Sequence, residues 1–278
     1  MVQVLTRDHG RVHFVAKGAF RPKSGYAFVL DLFHTLRLEW NPAPRRELQV
    51  LTRAELQTRR RLSSPLPVYR GALMVLELTE IAARQGQRES GLFELATDCL
   101  DTLATKTCSR AASGGARPTD ASVSEQSERL PATDVQSALI RYELGYLENL
   151  GLAPALLDCA ACSRPAPPLA APARARRGAS EPRPGPRVHF SAGAGGRLCP
   201  ECAAEARASG RRVGTLPVDV LETAQALASP APTHPAPPVD KELLIRTRDA
   251  VERFLNYHLE TRPRTQRAFL QAPNRNAP

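Results

Sequence analysis

Four cysteines in two Cys-x-x-Cys pairs are the residues of this chain best suited to chemistry. Cys159 and Cys162 form the first pair, and Cys199 and Cys202 form the second. Each turn points two thiolates at one position, and two turns supply the four soft ligands of a closed tetrahedral zinc site. No coordination position stays open for a reacting water, so we predict one structural zinc ion per chain. Unrelated reduced thiols or two disulfides are the alternatives.

Positive charge is concentrated in two parts of the chain, whose net charge is +10. In residues 1–62, twelve Lys and Arg against five Asp and Glu give +7. Between the Cys pairs, seven Arg against the single acid Glu181 give +6. Such local concentration predicts a polyanionic partner, and nucleic acid is the favoured one. A compositional bias toward Arg, Ala and Pro is the alternative explanation.

The first basic region combines side chains that can bind phosphate with one that can stack on a base. A site that follows a nucleic-acid backbone needs a row of cations and exposed aromatic rings. Arg11 and Lys17 project from one face of a strand, and Tyr26 lies beside a basic turn. The predicted DNA-binding residues are Arg7, Arg11, Lys17, Arg21, Lys23, Tyr26 and Arg37.

Catalytic motifs are poor, and we predict that the protein is not an enzyme. The chain has no P-loop sequence. The His-x-Glu at His258 resembles that of zinc deaminases, but it follows both Cys pairs, whereas in those enzymes it precedes the Cys motif. We expect His258 to pack on a helix. A zinc hydrolase or deaminase, which requires an open metal position, is the less favoured alternative.

Alternation of apolar and polar residues predicts strands over residues 11–17, 28–40 and 47–53. Phe14 and Phe28 lie on the apolar faces and are predicted to be core residues. Short antiparallel strands of this kind are typical of a small barrel. The run of three arginines at 59–61 is predicted to be solvated, with phosphate contact as the second interpretation.

After Pro65 the pattern becomes helical. Helices are predicted from Pro65 to about residue 83 and over 93–103, 135–150, 218–227 and 241–260. The low-complexity segments 110–131, 163–196 and 229–238 are predicted to be flexible loops. The predicted fold class is therefore α+β, with a barrel domain at 1–62 and a helical domain at 63–278 that contains the zinc region 155–210. No secretory signal or membrane span is predicted, which favours a cytoplasmic location.

Several segments resemble, in order along the chain, the bacterial RecO family of recombination mediators. They are residues 4–10, 15–18, 145–154, 195–199 and 257–264. The resemblance implies an N-terminal OB-fold, a helical domain and a zinc-bearing region. It also implies a protein of DNA repair and homologous recombination that binds single- and double-stranded DNA, promotes annealing, and loads recombinase with RecR and single-stranded DNA-binding protein. A zinc-stabilised nucleic-acid-binding regulator without a recombination role is the alternative.

The resemblance further implies that the acidic, apolar-ended tail of single-stranded DNA-binding protein docks on the helical domain. The candidate contacts are Arg141, Arg246 and Arg253. The chain departs from the family in two longer segments, 107–132 and 163–189, and it begins at what resembles the second barrel strand. We therefore expect an OB-fold without its first strand, an open sheet edge at residues 2–6, and a natural product that begins upstream. A family member that tolerates an incomplete barrel is the alternative.

Overall fold

The computed structural model describes residues 1–19, 21, 24–26, 28–43, 45–62, 66–108, 132–169, 185–229, 240–259 and 263–265. The predicted loop 110–131 lies outside these residues, as do 170–184 and 230–239. The chain forms two compact units, residues 1–131 with 263–278, and residues 132–262. Both strands and helices are present, so the predicted α+β class is confirmed.

The first unit is built on a four-stranded sheet. Its strands are β1 (Val2–Thr6), β2 (Gly10–Val15), β3 (Thr35–Trp40) and β4 (Leu48–Thr58), in the order β1-β2-β4-β3. The outer pairs β1–β2 and β3–β4 are antiparallel, and the central pair β2–β4 is parallel. An OB-fold has five strands, and the described residues form four of them, as predicted for an OB-fold without its first strand. In the part of the chain that the structure describes, β1 pairs with β2 alone, which confirms the predicted sheet edge at residues 2–6.

The predicted long strand over 28–40 is shorter in the structure. Residues 28–34 form turns, and the strand begins only at Thr35. Phe33 adopts a left-handed backbone conformation with φ of 68°, which breaks the alternation. Phe14 is fully buried, as predicted, and meets Trp40 edge to face at 5.3 Å. The prediction that Phe28 is a core residue is wrong, because its side chain is 82% exposed.

Two helices belong to the same unit as the sheet. They are α1 (Leu66–Ala82) and α2 (Ser90–Cys108). The backbone nitrogen of Arg11 in β2 donates to the carbonyl of Arg84 after α1, and Arg60 after β4 pairs with Asp101 on α2. These bonds join strands and helices within the first compact unit, and the predicted domain boundary at residue 62 stays a prediction.

The second unit contains four helices and a small sheet. The helices are α3 (Ala132–Asn149), α4 (Pro200–Ala208), α5 (Val218–Ala228) and α6 (Lys241–His258). Strands β5 (Arg187–Ser191), β6 (Gly196–Leu198) and β7 (Gly214–Pro217) form an antiparallel sheet in the order β6-β5-β7. Helices α3, α5 and α6 share a core that includes Ile140, Leu221, Leu244 and Val251.

The sequence missed the small sheet. β5 and a 3-10 turn, Ala192–Ala194, occupy the end of the predicted loop 163–196. The buried Val188 on β5 and the half-buried Phe190 pack on the helical core, which explains why this low-complexity segment is ordered there. None of the helices in the described part of the chain is both long enough and apolar enough to cross a membrane.

Candidate metal centre and basic surface

The two Cys-x-x-Cys pairs meet at one point in the second unit. The four sulfur atoms all lie within 4.8 Å of one another, and the Sγ atoms of Cys162 and Cys199 are 3.9 Å apart. With metal–sulfur bonds of about 2.3 Å, tetrahedral geometry requires sulfur–sulfur separations of about 3.8 Å. All four are free thiols, so the cluster has the ligand number and spacing of a closed metal site.

Local backbone structure orients the side chains of each Cys pair toward the cluster. Cys199 is the N-cap of α4, with Pro200 in the first turn, and its sulfur accepts a hydrogen bond from the backbone nitrogen of Cys202 at 3.5 Å. In the first pair, Cys159 nitrogen donates to the carbonyl of Arg164 at 2.9 Å. The Arg164 side chain then spans both pairs, because it lies 3.5 Å from the sulfur of Cys162 and 2.8 Å from Glu201.

A glycine sets the separation between the two pairs. The residues on either side of Gly196, on β6, form hydrogen bonds with Ala155. The backbone nitrogen of Ala155 donates to the carbonyl of Gly195, and the backbone nitrogen of Arg197 donates to the carbonyl of Ala155. A Cβ at Gly196 would lie 2.4 Å from the Ala155 carbonyl oxygen, and its φ is 143°. Only glycine fits this approach, which brings the chain before Cys159 beside the chain before Cys199.

The thiols differ in acidity. Burial raises the pKa of Cys159, but backbone hydrogen bonds from Cys199 and Cys162 outweigh it, and the pKa falls to about 6. The Arg164 side chain lowers the pKa of Cys162. The hydrogen bond with Cys199, together with burial, raises the pKa of Cys202. Four crowded thiols cannot all lose their protons without a cation to offset the charge, so the cluster could hold a metal ion.

Two of the predicted DNA-binding arginines have partners on the helices of the first unit. Arg7 pairs with Glu94 on α2 at 2.6 Å. Arg11 donates to the carbonyl oxygen of Glu80 on α1 at 3.2 Å. Glu94 therefore offsets the charge of Arg7, and Arg11 uses part of its donor capacity within the protein. The contact of both residues with DNA stays a prediction.

The other predicted residues lie elsewhere on this unit. Lys17, Arg21 and Arg37 are exposed and have no acidic partner within the described residues, whereas Lys23 lies outside those residues. The hydroxyl of Tyr26 donates to the carbonyls of Leu51 and Thr52, and its ring packs on the sheet core. These contacts give Tyr26 a structural role, and its stacking on a base stays a prediction.

The three candidate partner-binding arginines lie on two helices of the second unit. Arg141 on α3 is partly exposed. On α6, Arg246 lies 3.4 Å from Asp219, and Arg253 pairs with Asp249 one turn away. Their role in docking is not tested by these contacts. His258 packs against Phe254 at 4.6 Å and its Nε2 lies 3.1 Å from the carbonyl oxygen of Ala192, as expected for a packing residue.

A buried charge cluster between α3 and α6 was missed from the sequence. Arg248 lies 3.5 Å from Glu143, which is fully buried, and Glu252 is buried nearby. Burial raises the pKa of Glu143 to about 7, with Arg248 opposing the shift and Glu252 adding to it. The signal was present, because positions 248 and 252 fall on the apolar stripe that Leu244, Val251 and Leu255 define.

The two units together define a class of protein: a basic OB-fold unit and a helical unit with a four-cysteine cluster, on one chain. Residues 1–59 match the family described as recombination protein O N terminal. Residues 128–268 match the family described as recombination protein O C terminal. The chain therefore belongs to the RecO family.

Curated relatives agree with this assignment. The chain is similar to proteins named DNA repair protein RecO from Ralstonia nicotianae, with 39% identity over 104 residues, and from Aromatoleum aromaticum, with 37% identity over 106 residues. A third, from Cupriavidus pinatubonensis, is 51% identical over 55 residues. The first two alignments each cover 37% of this chain; they cover 36% of the Ralstonia protein and 42% of the Aromatoleum protein. The third alignment covers 20% of this chain and 18% of the Cupriavidus protein.

Proposed function

We propose that this protein is a non-enzymatic mediator of DNA repair and homologous recombination that works in the cytoplasm, on the nucleoid. The observation that carries the proposal is the match of both ends of the chain to RecO domains, with a net charge of +7 on residues 1–62. The curated relatives are named as DNA repair proteins, which supports the DNA repair part of this role.

The proposed mechanism is electrostatic capture of DNA. Exposed Lys17, Arg21 and Arg37 bind phosphates and release counterions, which gives affinity without sequence preference. Single and double strands both carry this phosphate charge. Two captured single strands repel each other less once their phosphates are neutralised, and annealing follows.

We propose zinc as the metal of the four-cysteine cluster. Four cysteine sulfur atoms within 4.8 Å of one another supply the ligand set of structural zinc. The ion joins the segment before α4 to the segment after α3, so its role is to stabilise the second unit.

We propose RecR and single-stranded DNA-binding protein as partners, with which the protein loads recombinase. Arg141, Arg246 and Arg253 on α3 and α6 are the candidate contacts for an acidic protein tail. Arg246 and Arg253 would exchange their present acidic neighbours for the tail. Loss of tail binding in the triple Gln variant, with DNA binding unchanged, would support the assignment; unchanged tail binding would refute it.

Binding measurements separate this function from a zinc-stabilised regulator. The mediator should bind unrelated oligonucleotides with equal affinity, and affinity should fall steeply as salt rises. The variant in which Lys17 and Arg21 are both replaced by Gln should lower the salt slope by roughly one to two. A strong preference for one duplex sequence would favour the regulator instead.

A further inference from the structure

A cleft of about 650 Å³ opens on the first unit beside the start of β3. Its walls are the turn segment 28–34, the segment 59–62 that follows β4, and Tyr69 on α1. Among the described residues, none of the predicted DNA-binding set between Arg7 and Arg37 lines it, although phosphate contact is the second interpretation of the run 59–61. The cleft is therefore a feature separate from that surface.

The floor of the cleft is fixed by Arg60. Its guanidinium is buried and binds Asp101 through two hydrogen bonds, at 2.7 and 2.8 Å. The remaining nitrogen donates to the carbonyl of Phe33 at 3.0 Å and to Thr35 at 2.7 Å. The ring of Phe33 meets Tyr69 edge to face at 5.8 Å. Because these bonds tie both walls together, the cleft is formed before any ligand arrives.

The inward position of Arg60 directs its two neighbours outward. Side chains alternate along an extended segment, so Arg59 and Arg61 both face solvent at the cleft. Neither has an acidic partner within the described part of the chain, in contrast to Arg7 and Arg88, which pair with Glu94 and Asp8. The cleft thus carries two cations that form no ion pair with a carboxylate of the described residues.

The opposite wall presents apolar surface to water. Phe28 is 82% exposed and Leu32 is 52% exposed. Asp31 also lines the cleft, and its carboxylate accepts a hydrogen bond from the Leu32 nitrogen at 2.7 Å, which holds the turn. A protruding aromatic ring offers a face on which a flat group can stack, whereas a peptide side chain needs a pocket to enter.

We propose that this cleft binds single-stranded nucleic acid, with one base stacked on Phe28 and the adjoining phosphates on Arg59 and Arg61. This inference rests on the proposed function, because it places a specific contact of the same DNA-binding activity. An acidic peptide with apolar side chains is the competing occupant. The stacked ring distinguishes single strands from duplexes, whose bases are not free to stack on a side chain.

The test measures fluorescence anisotropy of the full chain with a labelled oligothymidine, an abasic strand of equal length, and a duplex. Phe28→Ala should weaken binding to oligothymidine by roughly five-fold or more. The same change should leave binding to the abasic strand and the duplex unaltered, and Phe28→Tyr should restore affinity. Replacing Arg59 and Arg61 by Gln should lower the single-strand salt slope by about 1.4. The matched control replaces Arg211 and Arg212 by Gln; these two exposed arginines are consecutive in sequence and belong to the second unit.

Each other outcome overturns the site. If Phe28→Ala weakened binding to oligothymidine and to the abasic strand equally, no base would stack on Phe28. If the two double-arginine variants lowered the salt slope equally, Arg59 and Arg61 would contribute only to the general positive charge of the protein. An acidic peptide that ends in Phe tests the competing occupant. If it bound the native protein but not the Phe28→Ala variant, and the variant kept its affinity for oligonucleotides, the cleft would be assigned to a protein segment. Absence of any binding by the native protein would refute the proposed function itself.

Discussion

Arg60 and Asp101 form a two-point ion pair in which the guanidinium is buried and the carboxylate is half exposed. The Arg60 side chain is 3% exposed, and that of Asp101 is 52% exposed. The pair joins the end of β4 to α2, and the same guanidinium binds the carbonyl of Phe33. A run of three arginines therefore contains one structural member and two exposed ones.

The first prediction concerns this pair. Arg60→Met should destabilise the first unit by about 2 to 4 kcal/mol, because it leaves the Phe33 carbonyl without its donor. Asp101→Asn should cost more, because it leaves the buried Arg60 guanidinium without a counter-charge, whereas Arg60→Met leaves a half-exposed carboxylate that water can solvate. Urea denaturation of both variants measures the difference, and equal losses would contradict the asymmetry.

Stability should depend on pH through Glu143. Its pKa is about 7 in the folded protein, against an ordinary value of 4.5. The folded state binds this proton more tightly than the unfolded chain does, so the contribution to stability is complete below pH 4.5. It is then lost as the pH rises through 7, by a total on the order of 3 kcal/mol. Glu252 nearby, whose pKa burial also raises, adds to the same trend.

Glu143→Gln tests this dependence directly. The variant should show a flatter profile of unfolding free energy between pH 4.5 and 8 than the native protein does. Glu222→Gln, an exposed change on α5, is the control and should leave the profile unaltered. A native profile that stays level across this range would show that Glu143 is not protonated in the folded state.

The approach of Gly196 to Ala155 gives a third prediction. Gly196→Ala should lower both the melting temperature and the metal content, because the added Cβ forces apart the segments that carry the two Cys pairs. Gly214→Ala on β7 is the control, since a Cβ there has no atom within 4 Å. Circular dichroism and elemental analysis of the two variants should therefore diverge. Equal melting temperatures and metal contents would mean that the separation of the pairs is not set at Gly196.

Metal content is the fourth prediction. Freshly purified, reduced protein should hold one zinc ion per chain, and Cys199→Ser should lose it together with stability in the second unit. Cys99→Ala, a buried change on α2, should keep the metal. Native protein free of zinc by elemental analysis would contradict the proposed metal.

The sequence predicted those features that depend on spacing along the chain. The Cys pairs were found because each ligand pair is local, and the helices because their apolar residues repeat at helical period. The stripe through Leu244, Val251 and Leu255 lies buried on α6, as its spacing indicated. The family motifs gave the OB-fold, which strand alternation alone did not distinguish from other small barrels.

Features that depend on distant residues were missed. Phe28 continued an alternating pattern, but the left-handed backbone at Phe33 ends the pattern before the strand starts. Arg60 is indistinguishable in sequence from Arg59 and Arg61, since its burial depends on Asp101, 41 residues away. The β5 strand was hidden because its apolar residues lie at the end of a low-complexity segment and pack on helices from elsewhere in the chain.

Strand annealing is the most direct test of the central claim, that this protein brings DNA strands together. Two complementary oligonucleotides carrying a donor and an acceptor dye are mixed with the full chain, with and without single-stranded DNA-binding protein. We predict that annealing is faster than in buffer, needs no nucleotide, and slows when Lys17, Arg21 and Arg37 are replaced by Gln. An annealing rate equal to that in buffer, at concentrations that saturate strand binding, would contradict the account.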